Sequence, residues 1–225
     1  METNLMQCSK YLSYLKIPYV IIWTFFLGVM FFVPNVVLAK DTLASVLAKA
    51  SQQEMVALEY REVKHMIFLH DPIEVSGRMF VAGNDFVLEQ LQSQRMLLTA
   101  DQHRLRFYIP SKGMRHSKMM TSSMVRKGLQ FFKPLMSGDQ AALERVFEIQ
   151  FSVQPKGNWI LILTPKKLEE AFFSKVFIEG KEGKPAYYSR LEMADGSRSE
   201  WFFSILPVSG KNKQIMQMLM QESKG

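Results

Sequence analysis

From residue 56 to residue 205 the chain is written in short runs of alternating apolar and polar residues, parted by turn formers. This period of two limits the fold more than any other feature. A strand that alternates must bury one face and wet the other. In residues 147–154 the alternation is unbroken. Phe147, Ile149, Phe151 and Val153 point one way, and Glu148, Gln150, Ser152 and Gln154 the other. Leu105, Phe107 and Ile109 alternate in the same way with Arg104, Arg106 and Tyr108. The pattern predicts strands over residues 56–69, 74–82, 86–91, 95–99, 103–109, 114–120, 147–154, 158–164, 175–180, 187–193 and 198–205. Turns fall at Asp71-Pro72, Gly83-Asn84-Asp85, Pro110-Ser111-Lys112-Gly113 and Ala194-Asp195-Gly196-Ser197. In the last of these, Asp-Gly supplies the positive φ angles of a tight hairpin. Short strands at regular spacing with turns between them form an antiparallel meander.

Helical spacing replaces alternation in three places. Asp41 can cap a helix in which Leu43, Val46, Leu47 and Ala50 recur, up to about Met55. In the middle, residues 124–136 carry Leu129, Phe131, Phe132, Leu135 and Met136 around Pro134, and residues 140–146 form a short helix with Leu143 inward. At the end, residues 211–224 place Ile215, Met218 and Leu219 on one side. The expected fold is one α+β domain of about ten antiparallel strands, with a helix before, one or two in the middle and one after. Such a sheet must curl and its edges need cover. One strand departs from the rule. In residues 158–163, Trp159, Leu161 and Leu163 face one side, while Ile160 and Ile162 make the other side apolar too. That outer side needs its own cover, and the C-terminal helix, a partner or a lipid are the candidates.

Residues 1–39 stand apart. Lys10 and Lys16 precede an apolar run from Ile17 to Val33, Pro34 and Asn35 break it, and Val37-Leu38-Ala39 offers a cleavage site. This is the layout of a secretory signal peptide cut after Ala39. The alternative is an uncleaved anchor, since the run is about long enough to span the hydrocarbon core when tilted. Either way residues 40–225 are exported, and a periplasm is the expected location. The one cysteine, Cys8, falls in the leader, so the exported domain must hold together without a disulfide. With 28 Lys and Arg against 21 Asp and Glu in the whole chain, the domain stays net positive without Lys10, Lys16 and Glu2. Its cations are unevenly spread. Residues 102–138 contain no Asp or Glu but carry Arg104, Arg106, Lys112, Arg115, Lys118, Arg126, Lys127 and Lys133, a local positive field. Export argues against nucleic acid as its partner.

No catalytic constellation stands out. There is no Gly-x-Ser-x-Gly, no His-Glu-x-x-His, no phosphate loop, and no thiol after residue 39. His65 and His70 lie on one expected strand and point to opposite faces. His103 and His116 flank the turn at Tyr108-Ile109-Pro110 and could come closer, but have no third ligand. No metal, cofactor or catalytic residue is therefore assigned. Methionine is the notable residue, 16 in the chain, gathered at Met114, Met119, Met120, Met124 and Met136 and again at Met216, Met218 and Met220. Unbranched and polarizable, it suits surfaces that accept variable apolar shapes.

Four segments, in order, resemble the LolA family of periplasmic carriers of outer-membrane lipoproteins. The first runs from Leu58-Glu59-Tyr60-Arg61-Glu62-Val63 through Gly77 and Arg78-Met79-Phe80-Val81-Ala82 to Asn84-Asp85-Phe86. The second is "DQHRLRFYIPSKGMRHSKM", a strand, turn and strand centred on Tyr-x-Pro. The third is "PLMSGDQAALERVFEIQ" followed by "GNWILILTPKK", and the fourth is "LEMADGSRSEWFFS". The resemblance implies a strongly curved antiparallel sheet, an incomplete barrel, with helices covering its concave face as a lid over a cavity for acyl chains. It also implies an acylated lipoprotein or lipid as cargo, an inner-membrane releasing complex or exporter, an outer-membrane acceptor, transient membrane contact and a monomer. One family feature is missing. In the best-studied carriers an arginine just after an aromatic latches the lid; here Val87 follows Phe86, and Arg78 and Arg95 lie near but not at that spot.

Alternation and resemblance together nominate Leu105, Phe107, Phe151, Val153, Leu161 and Leu191 as cavity lining, with Phe131 and Phe132 of the middle insert above them. Arg115, Lys118, Arg126 and Lys127 are expected to present positive charge beside the cavity mouth for docking. The expected function is a periplasmic carrier that moves a lipoprotein or lipid between the inner and outer membranes. The alternatives are an envelope module that senses lipid or docks without transport, and an enzyme that uses the barrel as a hydrophobic chamber.

Overall fold

The computed structural model describes residues 42–51, 55–119, 140–168, 171, 173–182, 184, 186–207 and 209–225. The elements are α1 (Leu43–Ser51), β1 (Val56–His65), β2 (Ile73–Ala82), β3 (Asp85–Gln90), β4 (Met96–Ala100), β5 (Arg104–Ile109) and β6 (Met114–Met119). Then come α2 (Gln140–Val146), β7 (Phe147–Val153), β8 (Asn158–Pro165), β9 (Phe173–Lys181), β10 (Ala186–Met193), β11 (Arg198–Ile205) and α3 (Gly210–Glu222). All 11 strands form one sheet, in the order β6-β5-β4-β3-β2-β1-β11-β10-β9-β8-β7. Each strand pairs with its neighbour in sequence, except that β1 pairs with β11 and that β6 and β7 are the two edges. The sheet is thus an up-and-down barrel left open between β6 and β7.

Residues opposite each other on antiparallel strands share a face, so the register defines two faces across the sheet. On the first, Phe107, Leu98, Leu88, Met79 and Leu58 are matched in turn. The same face continues through Trp201, Ser189, Ile178, Leu161 and Phe151. Over β7 to β10 this Leu58 face is packed by Val46 and Leu47 of α1 and Leu143 of α2. The fully buried Trp159 ring lies across Gly180, where a Cβ would come within 2.0 Å of it. Only glycine allows that approach.

The opposite face, named here for Phe80, carries an apolar patch under α3. Ala57, Phe80, Val87 and Leu97 meet Met216, Leu219 and Met220 of α3. Ions fasten the helix. Arg95 grips Glu222 with two hydrogen bonds of 2.5 and 2.8 Å and Glu89 with one of 2.9 Å, while Arg78 holds the other oxygen of Glu89 at 2.5 Å. Thr99 and Ser223 share a buried hydroxyl contact of 2.7 Å. Glu222 draws its hydrogen bonds chiefly from Arg95, which holds its carboxyl below the ordinary range.

Several expectations are corrected. The first strand ends at His65, not at residue 69, because β2 begins only at Ile73 opposite Lys64. Residues beyond His65 have no strand to pair with and turn back, the Leu69 amide donating to the Met66 carbonyl at 3.0 Å. His65 and His70 therefore share no strand, and His65 Nε2 sits 3.5 Å from Glu200. His103 precedes β5 and His116 opposes Phe107, about 13 Å further along at strand rise, so the two do not converge. Asp41 lies outside the described residues; the first helix is capped by Thr42, whose hydroxyl accepts the Ser45 amide at 3.1 Å. Residues 52–54, where that helix was expected to continue, lie outside the described residues, and Met55 packs beside α3 on the Phe80 face. In the Asp195-Gly196 turn only Gly196 has positive φ, 86°, as in a three-residue loop rather than the tighter hairpin. The helices do not share one face: α1 and α2 pack on the Leu58 face and α3 on the other. The C-terminal helix does not cover Ile160 and Ile162. They are half-buried on the Phe80 face of β8, on the half of the sheet that α3 does not reach.

Candidate ligand-binding face

Six of the residues nominated from sequence, Leu105, Phe107, Phe151, Val153, Leu161 and Leu191, all lie on the Leu58 face. They fall into two packed groups. Leu105 and Phe107 join the core of β1 to β5 and β11. Phe151, Val153, Leu161 and Leu191 join the core under α1 and α2. Leu105, Leu161 and Leu191 are buried. The half-buried members stand in the strands at or next to the open edges: Phe107 and Met114 on one side, Ile149, Phe151 and Val153 on the other. Phe131 and Phe132 lie outside the described residues.

A polar group interrupts this face between the two cores. Along β1 the residues in phase with Leu58 are Tyr60, Glu62 and Lys64. Glu62 is only 2% exposed. It accepts a short hydrogen bond from Ser199 and lies 3.2 Å from the Lys64 ammonium. The Trp201 indole donates to Ser199 Oγ at 3.1 Å. A buried carboxylate is tolerated only when paired and hydrogen-bonded in this way. Burial, with Glu62 and Glu89 adding to it, pushes the Tyr60 phenol well above its ordinary range. Ser189, opposite Trp201, is buried with a hydroxyl that has no partner among the described residues. None of these polar residues was nominated from sequence, although a carboxylate in phase with Leu58 and Tyr60 is the group's visible signal.

The docking residues are placed as follows. Arg115 is exposed on the Phe80 face, stacked 3.8 Å over the Tyr108 ring, and donates to the Glu222 carbonyl at 3.4 Å. Lys118 is exposed opposite Leu105, on the Leu58 face. The two thus stand on opposite faces of β6. Arg126 and Lys127 lie outside the described residues. Elsewhere in the acid-free stretch, Arg106 pairs with Asp101 at 2.6 Å and Arg104 donates to Ser117 at 3.1 Å. Among the described residues no three His, Cys, Asp or Glu side chains gather as metal ligands, and no helix is long and apolar enough to cross a membrane.

No protein-family model matches the chain, and no curated protein matches its sequence. Solved structures do resemble it. A DUF1329 family protein from Desulfovibrio piger is 12% identical over 72% of this chain and 88% of its own, with a TM-score of 0.40. A LolA superfamily protein from Nitrosomonas europaea is 11% identical over 71% of this chain and 90% of its own, at 0.34. The lipoprotein LppX of Mycobacterium tuberculosis is 11% identical over 74% and 93%, at 0.38. Identities and scores this low transfer no residue's role to this chain.

Proposed function

We propose that the protein is an envelope carrier that shelters the acyl chains of a lipoprotein or lipid against the Leu58 face and moves them between the inner and outer membranes. One observation carries the reading: apolar rows of the Leu58 face run inward from β5 and from β7, and their half-buried rungs, Phe107 and Phe151 above all, stand next to or at the open edges. An acyl chain needs no directional contact there, because each methylene taken out of water contributes about 0.8 kcal/mol. A carrier can thus lack any conspicuous motif. A sensing module without transport shares this feature, and turnover of a precursor would be the mark of a chamber enzyme. In this reading cargo comes from an inner-membrane releasing complex or exporter and passes to an outer-membrane acceptor, with transient membrane contact.

The test is uptake of a fluorescent fatty acid by the exported domain, unchanged and with Phe151→Glu. A charge placed on a dry face is costly, so the variant should lose uptake while keeping its far-UV circular dichroism. Equal uptake by both proteins would reject the Leu58 face as the site.

A further inference from the structure

The Phe80 face of β9 to β11, which α3 leaves uncovered, holds a pocket of about 360 Å³ lined by Phe177, Glu179, Tyr187, Tyr188, Arg190 and Phe202. A β-bulge builds it. Ala186 opposes Gly180 and Tyr188 opposes Glu179, so Tyr187 is an extra residue in β10. Regular alternation would send two consecutive tyrosines to opposite faces; the bulge brings both to one pocket, as bulges beside binding sites do. The Tyr188 and Phe202 rings, 5.3 Å apart and inclined at 55°, form an angled apolar wall. Arg190 lies 4.0 Å over the Phe177 ring, which holds its guanidinium in place.

The polar groups carry both senses of hydrogen bonding. Tyr187 donates to Glu179 and Tyr188 to Glu200, each at 3.3 Å. Arg190 lies 3.2 Å from Glu192 through one terminal nitrogen, while its buried Nε has no partner among the described residues. An anion in this pocket would meet Glu179. A cation would meet Arg190. A wholly apolar ligand would take water from Glu179 and the terminal N–H groups of Arg190 without replacing it, which is costly. The complementary ligand is neutral, has one apolar face for Tyr188 and Phe202, and carries hydroxyls that can donate to Glu179 and accept from Arg190. Those are the properties of a sugar ring, and the volume is at the small end of ligand sites.

We propose that this pocket binds a saccharide of one or two rings. The site lies on the opposite face from the acyl ladder, so it stands or falls separately from the carrier function. Saturation-transfer NMR on the exported domain with cellobiose and with diacetylchitobiose tests it, with benzoate and benzyltrimethylammonium as the charged alternatives. Transfer to the ring protons of at least one sugar, weakened roughly tenfold in affinity by Arg190→Met and by Glu179→Gln, is the expected result. Tyr188→Ala should abolish the signal, and circular dichroism of each variant confirms that the sheet persists. Binding of either charged probe in place of the sugars overturns the proposal. So does silence from both sugars, or sugar signals that all three folded variants leave unchanged.

Discussion

Replacing Arg95 by Met should loosen α3 from the sheet without disturbing the Leu58 face. Arg95 joins two carboxylates of very different exposure. The Glu222 side chain is 35% exposed and that of Glu89 only 3%. Solvent screens the Glu222 arm, despite its two short hydrogen bonds, to about 0.5–1 kcal/mol. Glu89 is dry and would keep Arg78 alone, so losing its second cation costs about 1.5–2 kcal/mol. Met retains much of the apolar stem, which leaves a loss of about 2–3 kcal/mol for the whole change. Urea unfolding followed by tryptophan fluorescence measures it, with the midpoint moving and the slope constant. Glu222→Gln should cost about 0.5–1 kcal/mol alone and almost nothing once Arg95 is Met. A loss under about 0.5 kcal/mol, or additive effects in the double variant, would refute the clamp. Because α3 sits on the Phe80 face, fatty-acid affinity should not change in Arg95→Met. A large change would mean that the helix is coupled to the Leu58 face.

Three further outcomes are expected. Gly180→Ala forces a methyl into the Trp159 ring, and urea unfolding should show a loss of about 2–3 kcal/mol; an unchanged midpoint would deny the contact. Burial raises the pKa of Asp101, but hydrogen bonds from Arg106 and from the amides of His103 and Arg104 outweigh it and hold the carboxyl at about 2, against an ordinary 3.8. Its contribution is therefore full above about pH 4 and is lost as pH falls from 4 towards 2, so Asp101→Asn should flatten the acid end of the stability profile in that window. Changing Arg115, Lys118, Arg126 and Lys127 together to Ser should slow cargo transfer to acceptor membranes, most at low salt, where exposed charges are least screened. Arg115→Ser alone is the control, because it also removes the stack on Tyr108, and a normal rate for the quadruple variant at low salt would end the docking proposal.

Strand positions were legible because alternation is a local signal: β7 fell where Phe147, Ile149, Phe151 and Val153 put it, and β8 where Trp159, Leu161 and Leu163 did. Where the first strand ended was not legible, since apolar Ile67, Phe68 and Leu69 continue its pattern; only the start of β2 at Ile73 cuts it short. The pairing of β1 with β11, which joins the two ends of the domain, leaves no mark in either strand alone. The place of α3 was hidden for a similar reason. Its methionines could cover either half of the sheet, and Arg95, just before β4 and far away in sequence, ties the helix to one half through Glu222. Of the candidate site, the shared face of Leu105, Phe107, Phe151 and Val153 followed from period two. The pairing of Glu62 with Ser199 did not, because it spans β1 and β11. The two tyrosines of the bulge were beyond alternation altogether, since a bulge is a departure from it.

Native mass spectrometry of the protein recovered from its own cells addresses the proposed acyl-carrier function directly. A fraction of the molecules carrying a bound acylated species, absent from Phe151→Glu recovered in the same way, is the expected result. Protein that emerges empty from the cell, and equally empty after incubation with acylated lipoprotein or lipid, would contradict it.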